Sequence, residues 1–292
     1  MFSTAYEIAS AYTQPVLVSH RFFNGEIESG LGSFIIINDE GWIITAAHII
    51  EPMNTFQQHS KEMHEYKQQI SAIDQDPTLN QTAKFKKKKR LQVNQKWLTA
   101  FSHWWGKDSH RIMQFKVFKE NDIAIGKIEN YDPGFCKSYP VFRDPLKLKV
   151  GTSVCKLGFP FFNVKATFDE QKHAFQFDRS IFPIPRFPID GIVTRMVVPA
   201  KTKEQNQNLN VKFIETSTPG LRGQSGGPIF DVEGRVLGVQ SHTRHLPLGF
   251  SPKIKKGGKE VEENQFINIG IGAHVESILT LLDQHGVRYE KG

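Results

Sequence analysis

Gly32-Ser33-Phe34-Ile35-Ile36-Ile37-Asn38-Asp39-Glu40-Gly41-Trp42-Ile43-Ile44-Thr45 reads as two short strands joined by a turn. β-Branched and aromatic residues fill both apolar runs, and Asn-Asp-Glu-Gly between them supplies turn chemistry. The same grammar extends outward. Pro15-Val16-Leu17-Val18 precedes the pair, and similar runs return at 121–128, 150–158, 191–198, 211–216, 228–230 and 236–241. Many short strands with no regularly alternating helices indicate an all-β barrel or sandwich.

Two stretches depart from that pattern. Phe56, Met63, Tyr66, Ile70 and Ile73 fall on a heptad-like repeat that predicts an amphipathic helix over 54–73. Trp97, Phe101, Trp104 and Trp105 stand at i, i+4, i+7 and i+8, which places them on one face of a second expected helix. Near the C-terminus, Val275, Ile278, Leu279 and Leu282 predict a helix over 274–285, with Gly286 as its C-cap.

A chain of 292 residues, 39% hydrophobic and 23% charged, can bury one large or two small cores, which excludes a disordered or fibrous protein. No apolar run reaches the roughly 20 residues of a membrane-spanning helix. The opening MFSTAYEIASAYTQ lacks the basic-then-apolar signature of a secretory leader. Only Cys136 and Cys155 are present, too few for a disulfide framework, so two reduced, buried thiols are expected. A cytoplasmic address follows as an expectation. The net charge of +7 is concentrated: residues 51–116 carry twelve Lys/Arg against six Asp/Glu, including Lys86-Lys87-Lys88-Lys89-Arg90.

The chemistry gathers in three motifs. Gly223-Gln224-Ser225-Gly226-Gly227-Pro228 offers a hydroxyl on a glycine-flanked turn, where free N–H groups can hold a developing oxyanion. Such a serine needs a general base. Thr45-Ala46-Ala47-His48 sets an imidazole at a strand end behind two small residues, unlike the other ten histidines in polar surroundings. Asn121-Asp122-Ile123-Ala124-Ile125 puts a carboxylate before an apolar strand, where an acid needs a partner.

In the order His, Asp, Ser these motifs resemble the chymotrypsin-like peptidases, and within them the HtrA-type proteases. The resemblance covers most of the chain outside 52–116. It includes Gly30-Leu31-Gly32-Ser33-Phe34, Val154-Cys155-Lys156-Leu157-Gly158-Phe159-Pro160, Gly191-Ile192-Val193-Thr194, Phe213-Ile214-Glu215-Thr216 and Asn268-Ile269-Gly270-Ile271-Gly272-Ala273. It implies a double six-stranded Greek-key β-barrel with a helical insertion in the first barrel and a C-terminal helix. Residues 1–132 would form the first barrel, interrupted by a basic insertion at about 52–116, and 133–292 the second. His48 would be the general base, Asp122 its orienter and Ser225 the nucleophile of a serine endopeptidase. The backbone N–H groups of Gly223 and Ser225, with Gln224 between them, would build the oxyanion hole. Pro219, Gly220, Leu221 and Arg222, with Ser241, His242 and Thr243, would bind substrate, the last three as a strand edge that pairs with polypeptide backbone. No cofactor and no metal are implied.

Departures from the family shape the expectations further. Gln224 stands where digestive proteases carry an aspartate for a freed N-terminus, which disfavours activation by N-terminal cleavage and points to loop ordering or a partner. With no acid at Pro219 or Gly220, cleavage after Lys or Arg is disfavoured. Gly220 lacks a branched side chain, so medium or larger apolar side chains are expected to fit, with His242, Arg244 and His245 keeping an acidic or amide preference open. Ser217 replaces an acid common in the family, and no PDZ domain follows the last helix in this chain. The insertion at 52–116 is read as packing on the barrel or docking a regulatory protein, while nucleic acid is not expected as a partner. The rival reading is a catalytically silent scaffold that binds a protein or nucleic acid through its basic insertion.

Overall fold

The computed structural model describes residues 1–199 and 211–292. A first helix, α1 (Ser3–Tyr12), leads into strands β1 (Thr13–Phe22), β2 (Ile27–Ile36) and β3 (Trp42–Ala46). Helix α2 (Ala47–Gln75) and the short basic α3 (Gln81–Arg90) follow, and the chain returns to the sheet as β4 (Leu98–Trp105), β5 (Ile112–Phe118) and β6 (Ile123–Ile128). The opening sequence is therefore an antiparallel pair, with Phe34 opposite Thr45 and Ile36 opposite Ile43. Strand order in this lobe is β4-β1-β2-β3-β6-β5, so β4 returns beside β1 as a Greek key. The lobe is a six-stranded half-barrel: no ladder joins its edge strands β4 and β5 among the described residues.

The second lobe contains β7 (Val141–Phe142), β8 (Ser153–Gly158), the hairpin β9 (Ala166–Asp169) and β10 (Ala174–Phe177), β11 (Phe187–Val197) and β12 (Phe213–Thr216). It continues with β13 (Pro228–Phe230), β14 (Val236–Pro247), the hairpin β15 (Lys253–Lys256) and β16 (Lys259–Glu262), and β17 (Phe266–His274). Helix α4 (Val275–Gln284) and β18 (Glu290–Lys291) complete the chain. The order β13-β8-β11-β12-β17-β14, with β13 also paired to β14, closes a six-stranded barrel. Helix α4 ends as expected near Gly286, whose φ of +63° suits the left-handed residue after a helix.

Residues 97–105 correct the sequence reading. They are not a helix: β4 pairs antiparallel with β1, Val16 facing Trp105 and Ser19 facing Ser102. Alternation then sends Trp104 and Trp105 to opposite sides. Trp105 enters the core against Phe34, whereas Trp104 packs on Phe177 and Phe182 outside it. The helical excursion is accordingly narrower than 52–116, because 98–105 and 112–118 are sheet strands. It also starts earlier than residue 54, at Ala47, and contains Pro52.

Helix α2 buries only Ala47, Ile49 and Ile50 fully. Its outer turns lean on β4 through Phe56 against Phe101 and Tyr66 against Trp97. Glu62 accepts the Trp97 indole N–H at 2.7 Å, and His59 Nδ1 accepts the Leu98 N–H at 2.9 Å. The α1 helix, in a stretch without strand or motif signals, buries Ala5, Ala9 and Tyr12, and the Tyr12 hydroxyl donates to Gly234 O in the second lobe. Cys136 and Cys155 are both free and buried, in accord with the expectation of reduced thiols.

Candidate functional site

Three loops meet in the cleft between the lobes. His48 lies in the first turn of α2, directly after β3. Asp122 occupies the junction before β6 at φ +50°, a left-handed conformation that aspartate tolerates better than most residues. From there it tends the start of α2. Its carbonyl accepts the Ala47 N–H at 3.0 Å, and its Oδ1 accepts the His48 N–H at 3.0 Å. The carboxylate thus caps a helix N-terminus, where orphan donors and the helix dipole favour negative charge.

The same carboxylate holds the imidazole. His48 Nδ1 lies 2.9 Å from Asp122 Oδ2 and 3.1 Å from Oδ1. The Ser241 hydroxyl donates to Asp122 Oδ2 at 2.5 Å. A hydroxyl has one proton, so the 2.8 Å contact between His242 Nδ1 and Ser241 Oγ makes His242 the donor. Burial pushes the Asp122 carboxyl up, but its hydrogen bonds from His48 and Ser241 and the charge of His48 outweigh that, and the net shift is downward. Burial likewise lowers His242.

Ser225 sits on a turn clamped from both lobes. Ser33 N–H donates to Ser225 O at 2.8 Å, and Gly226 N–H donates to Gln240 O at 2.8 Å. Gly223 (φ +97°) and Gly226 (φ +85°) adopt conformations closed to most L-residues, and a Cβ on Gly226 would lie 2.1 Å from Ser33 O. The Gly223 carbonyl is drawn inward by Phe159 N–H at 3.0 Å and the Ser33 hydroxyl at 2.7 Å. Among the described residues, the N–H groups of Gly223 and Ser225 have no protein acceptor.

Gln224, between these two donors, is bonded within the loop. Its N–H donates to Leu221 O at 2.9 Å, its Oε1 accepts the Leu221 N–H, and its Nε2 donates to Phe187 O. Gln224 therefore ties the loop together and offers no free donor to the cleft. The Ser225 hydroxyl donates to Ser241 O at 3.1 Å, and no hydrogen bond joins it to His48.

Two cavities flank Ser225 and His48. One, of about 570 Å³, is lined by Pro219, Gly220, Leu221, Arg222, Ser241, His242 and Thr243, every residue expected to bind substrate, together with His245 and Asn268. The other, of about 580 Å³, carries Leu31, Ile49 and the aromatic run Phe159, Phe161 and Phe162. Gly220 does not widen the first pocket for apolar groups: a Cβ there would meet the Gln240 amide nitrogen at 2.1 Å, so that amide already fills the space. Ser217 Oγ accepts the Ile192 N–H at 3.0 Å, which gives it a structural place in the β11 ladder. Gln240, Ser33 and Lys156 support the site without having been singled out from the sequence. Only Lys156, a charge amid the apolar Val154–Leu157 run, carried a local signal. No group of three or more metal-ligating side chains occurs among the described residues.

The trypsin-like peptidase domain family model matches residues 32–239, and the chain belongs to that family. A probable periplasmic serine endoprotease, DegP-like, from Pseudomonas putida (strain GB-1) is 31% identical over 131 residues, 44% of this chain and 21% of that protein. Its counterpart from Marinomonas sp. (strain MWYL1) is 23% identical over 222 residues, 76% of this chain and 32% of the relative. The chain thus spans about a fifth to a third of the length of these relatives. The solved structure described as HtrA-type protease AlgW with tripeptide has a TM-score of 0.47 at 13% identity, covering 98% of this chain and 64% of that one.

Proposed function

We propose that this chain is a serine endopeptidase acting through an acyl-enzyme. Ser225 Oγ attacks the scissile carbonyl as His48 takes its proton. The C–N bond then breaks as the imidazolium gives that proton to the leaving amine, and a water repeats the sequence to release the acid. Asp122 positions the imidazole and offsets its charge, held in turn by Ser241. The unengaged N–H groups of Gly223 and Ser225 receive the carbonyl oxygen as it becomes negative.

One observation carries this reading: a serine on a glycine-flanked, doubly clamped turn shares its cleft with a histidine already paired to a half-buried carboxylate at 2.9 Å. A binding scaffold would have no use for that combination. Substrate would lie extended along β14, whose side opposite β17 has no strand partner beyond Val239 among the described residues. The Ser225 hydroxyl, turned toward Ser241 O, rotates to His48 before attack, and control would act through loop ordering or a partner. The internally satisfied Gln224 needs no new N-terminus, in keeping with that form of control.

A fluorophosphonate probe tests the assignment. Labelling of the wild type and its loss in Ser225→Ala and His48→Ala is the expected result. Labelling that persists in Ser225→Ala would show the nucleophile to be elsewhere.

A further inference from the structure

Strand β8 buries a lysine among apolar neighbours: Lys156 is 0% exposed, beside Val154, Cys155 and Leu157 in the core. Its ammonium reaches under the substrate cleft. Nζ donates to Thr218 O at 2.5 Å, Pro219 O at 2.7 Å and Thr216 Oγ1 at 3.2 Å. A Cβ added to Gly270 would stand 2.8 Å from it. Because Pro219 and Gly220 line the cleft beside Ser225, the amine lies one layer of atoms beneath its floor.

All three partners of this ammonium are neutral, and among the described residues no carboxylate lies within 4 Å of it. The acids on the strands packed around it are paired with another cation or lie on the other face of the sheet. Glu215 on β12 pairs with Arg195, and Asp190 on β11 faces Cys155 across the ladder. Burial lowers Lys156 to about 7, the expected response of a desolvated cation without a counter-ion. The cleft above continues the same sign: Arg222 lines it, and neither Asp nor Glu does. An apolar occupant would leave this cation uncompensated, whereas a carboxylate would supply its missing counter-charge.

We propose that Lys156 makes the pocket beside Ser225 select a carboxylate side chain on the acyl side of the scissile bond. This rests on the peptidase reading above. The comparison of glutamate with glutamine isolates charge from shape, because the two side chains are nearly isosteric.

Peptides identical except for Glu, Asp, Gln, Leu or Lys at that position, hydrolysed at pH 6.5 by wild type and Lys156→Met, provide the test. The expected result is a kcat/KM for Glu roughly tenfold or more above Gln and Leu in the wild type, with the Glu/Gln ratio collapsing toward one in Lys156→Met. Equal wild-type rates for Glu and Gln would overturn the proposal, and so would a Lys156→Met that lowers every peptide equally, since that describes a purely structural post. Should the variant not fold, Lys156→Gln takes its place in the same comparison, and a peptidyl aldehyde ending in Glu or Gln repeats the measurement by inhibition. Fluorophosphonate labelling of Ser225 separates the two levels. Labelling without Glu selectivity sinks only the pocket assignment, whereas absence of both labelling and hydrolysis sinks the peptidase reading with it.

Discussion

Ser241 shows how much of the site depends on a side chain that braces the others. Its hydroxyl holds Asp122 Oδ2 while its carbonyl holds the Ser225 hydroxyl, so one residue touches two members of the proposed triad. A hydrogen bond to a charged group contributes about 1.5–3 kcal/mol. We therefore expect Ser241→Ala to lower kcat by roughly 10- to 100-fold with KM little changed, and the isosteric Ser241→Cys to recover only part of it, read from steady-state kinetics on a peptide substrate. Gly226 is less forgiving. A methyl group there would collide with Ser33 O in a conformation already closed to alanine. Gly226→Ala should abolish fluorophosphonate labelling and lower thermal stability together.

At the scale of elements, α2 joins the site to the periphery: its first turn carries His48 and its later turns pack on β4. The aromatic contacts Phe56–Phe101 and Tyr66–Trp97 hold the exposed part of the helix to the half-barrel. Phe56→Ala should cost about 1–2 kcal/mol in a denaturant melt, as loss of a partly buried aromatic pair does. Because the Asp122 cap fixes the helix start independently, the labelling rate of Ser225 should hardly change. The basic face of α3 is the element most open to electrostatic partners. Lys88 pairs with Asp74, but most of its charges remain solvated. No affinity for nucleic acid even at low salt is the expected outcome, measured by a mobility shift, since salt-dependent binding would mark a phosphate-contacting surface.

Across the whole molecule, two neutral histidines make stability depend on pH. Burial, the main cause for each, pushes His103 and His274 down to about 4. The unfolded chain takes up protons below about 6.5 that the native state refuses until near 4. The contribution of these two histidines should therefore be constant above pH 7 and lower stability as pH drops from 6.5 to 4, by up to roughly 3 kcal/mol for each. His274→Asn retains an acceptor for the Glu276 N–H at the start of α4 and should shrink that acid-side loss, followed by thermal melts across the range.

What could be read along the chain and what could not divide by the range of the forces involved. Strand grammar, the C-terminal helix and the motifs around His48, Asp122 and Ser225 were legible because alternation, turn chemistry and glycine placement are local properties. The aromatic run at 97–105 misled because its spacing fits a helix, while its fate was set by the exposed edge of β1, which no local pattern records. The surroundings of Gly220 were hidden for a similar reason: the space left by the missing side chain belongs to Gln240, twenty residues further on. The amino-acid sequence by itself determined which residue types and turns are available for acyl-transfer chemistry. Only the tertiary structure decided that Gln224 is a brace, that the Ser225 hydroxyl rests on Ser241, and that Lys156 lies beneath the cleft. Hydrogen bonds and buried charges act over a few ångströms of space, whatever the separation along the chain.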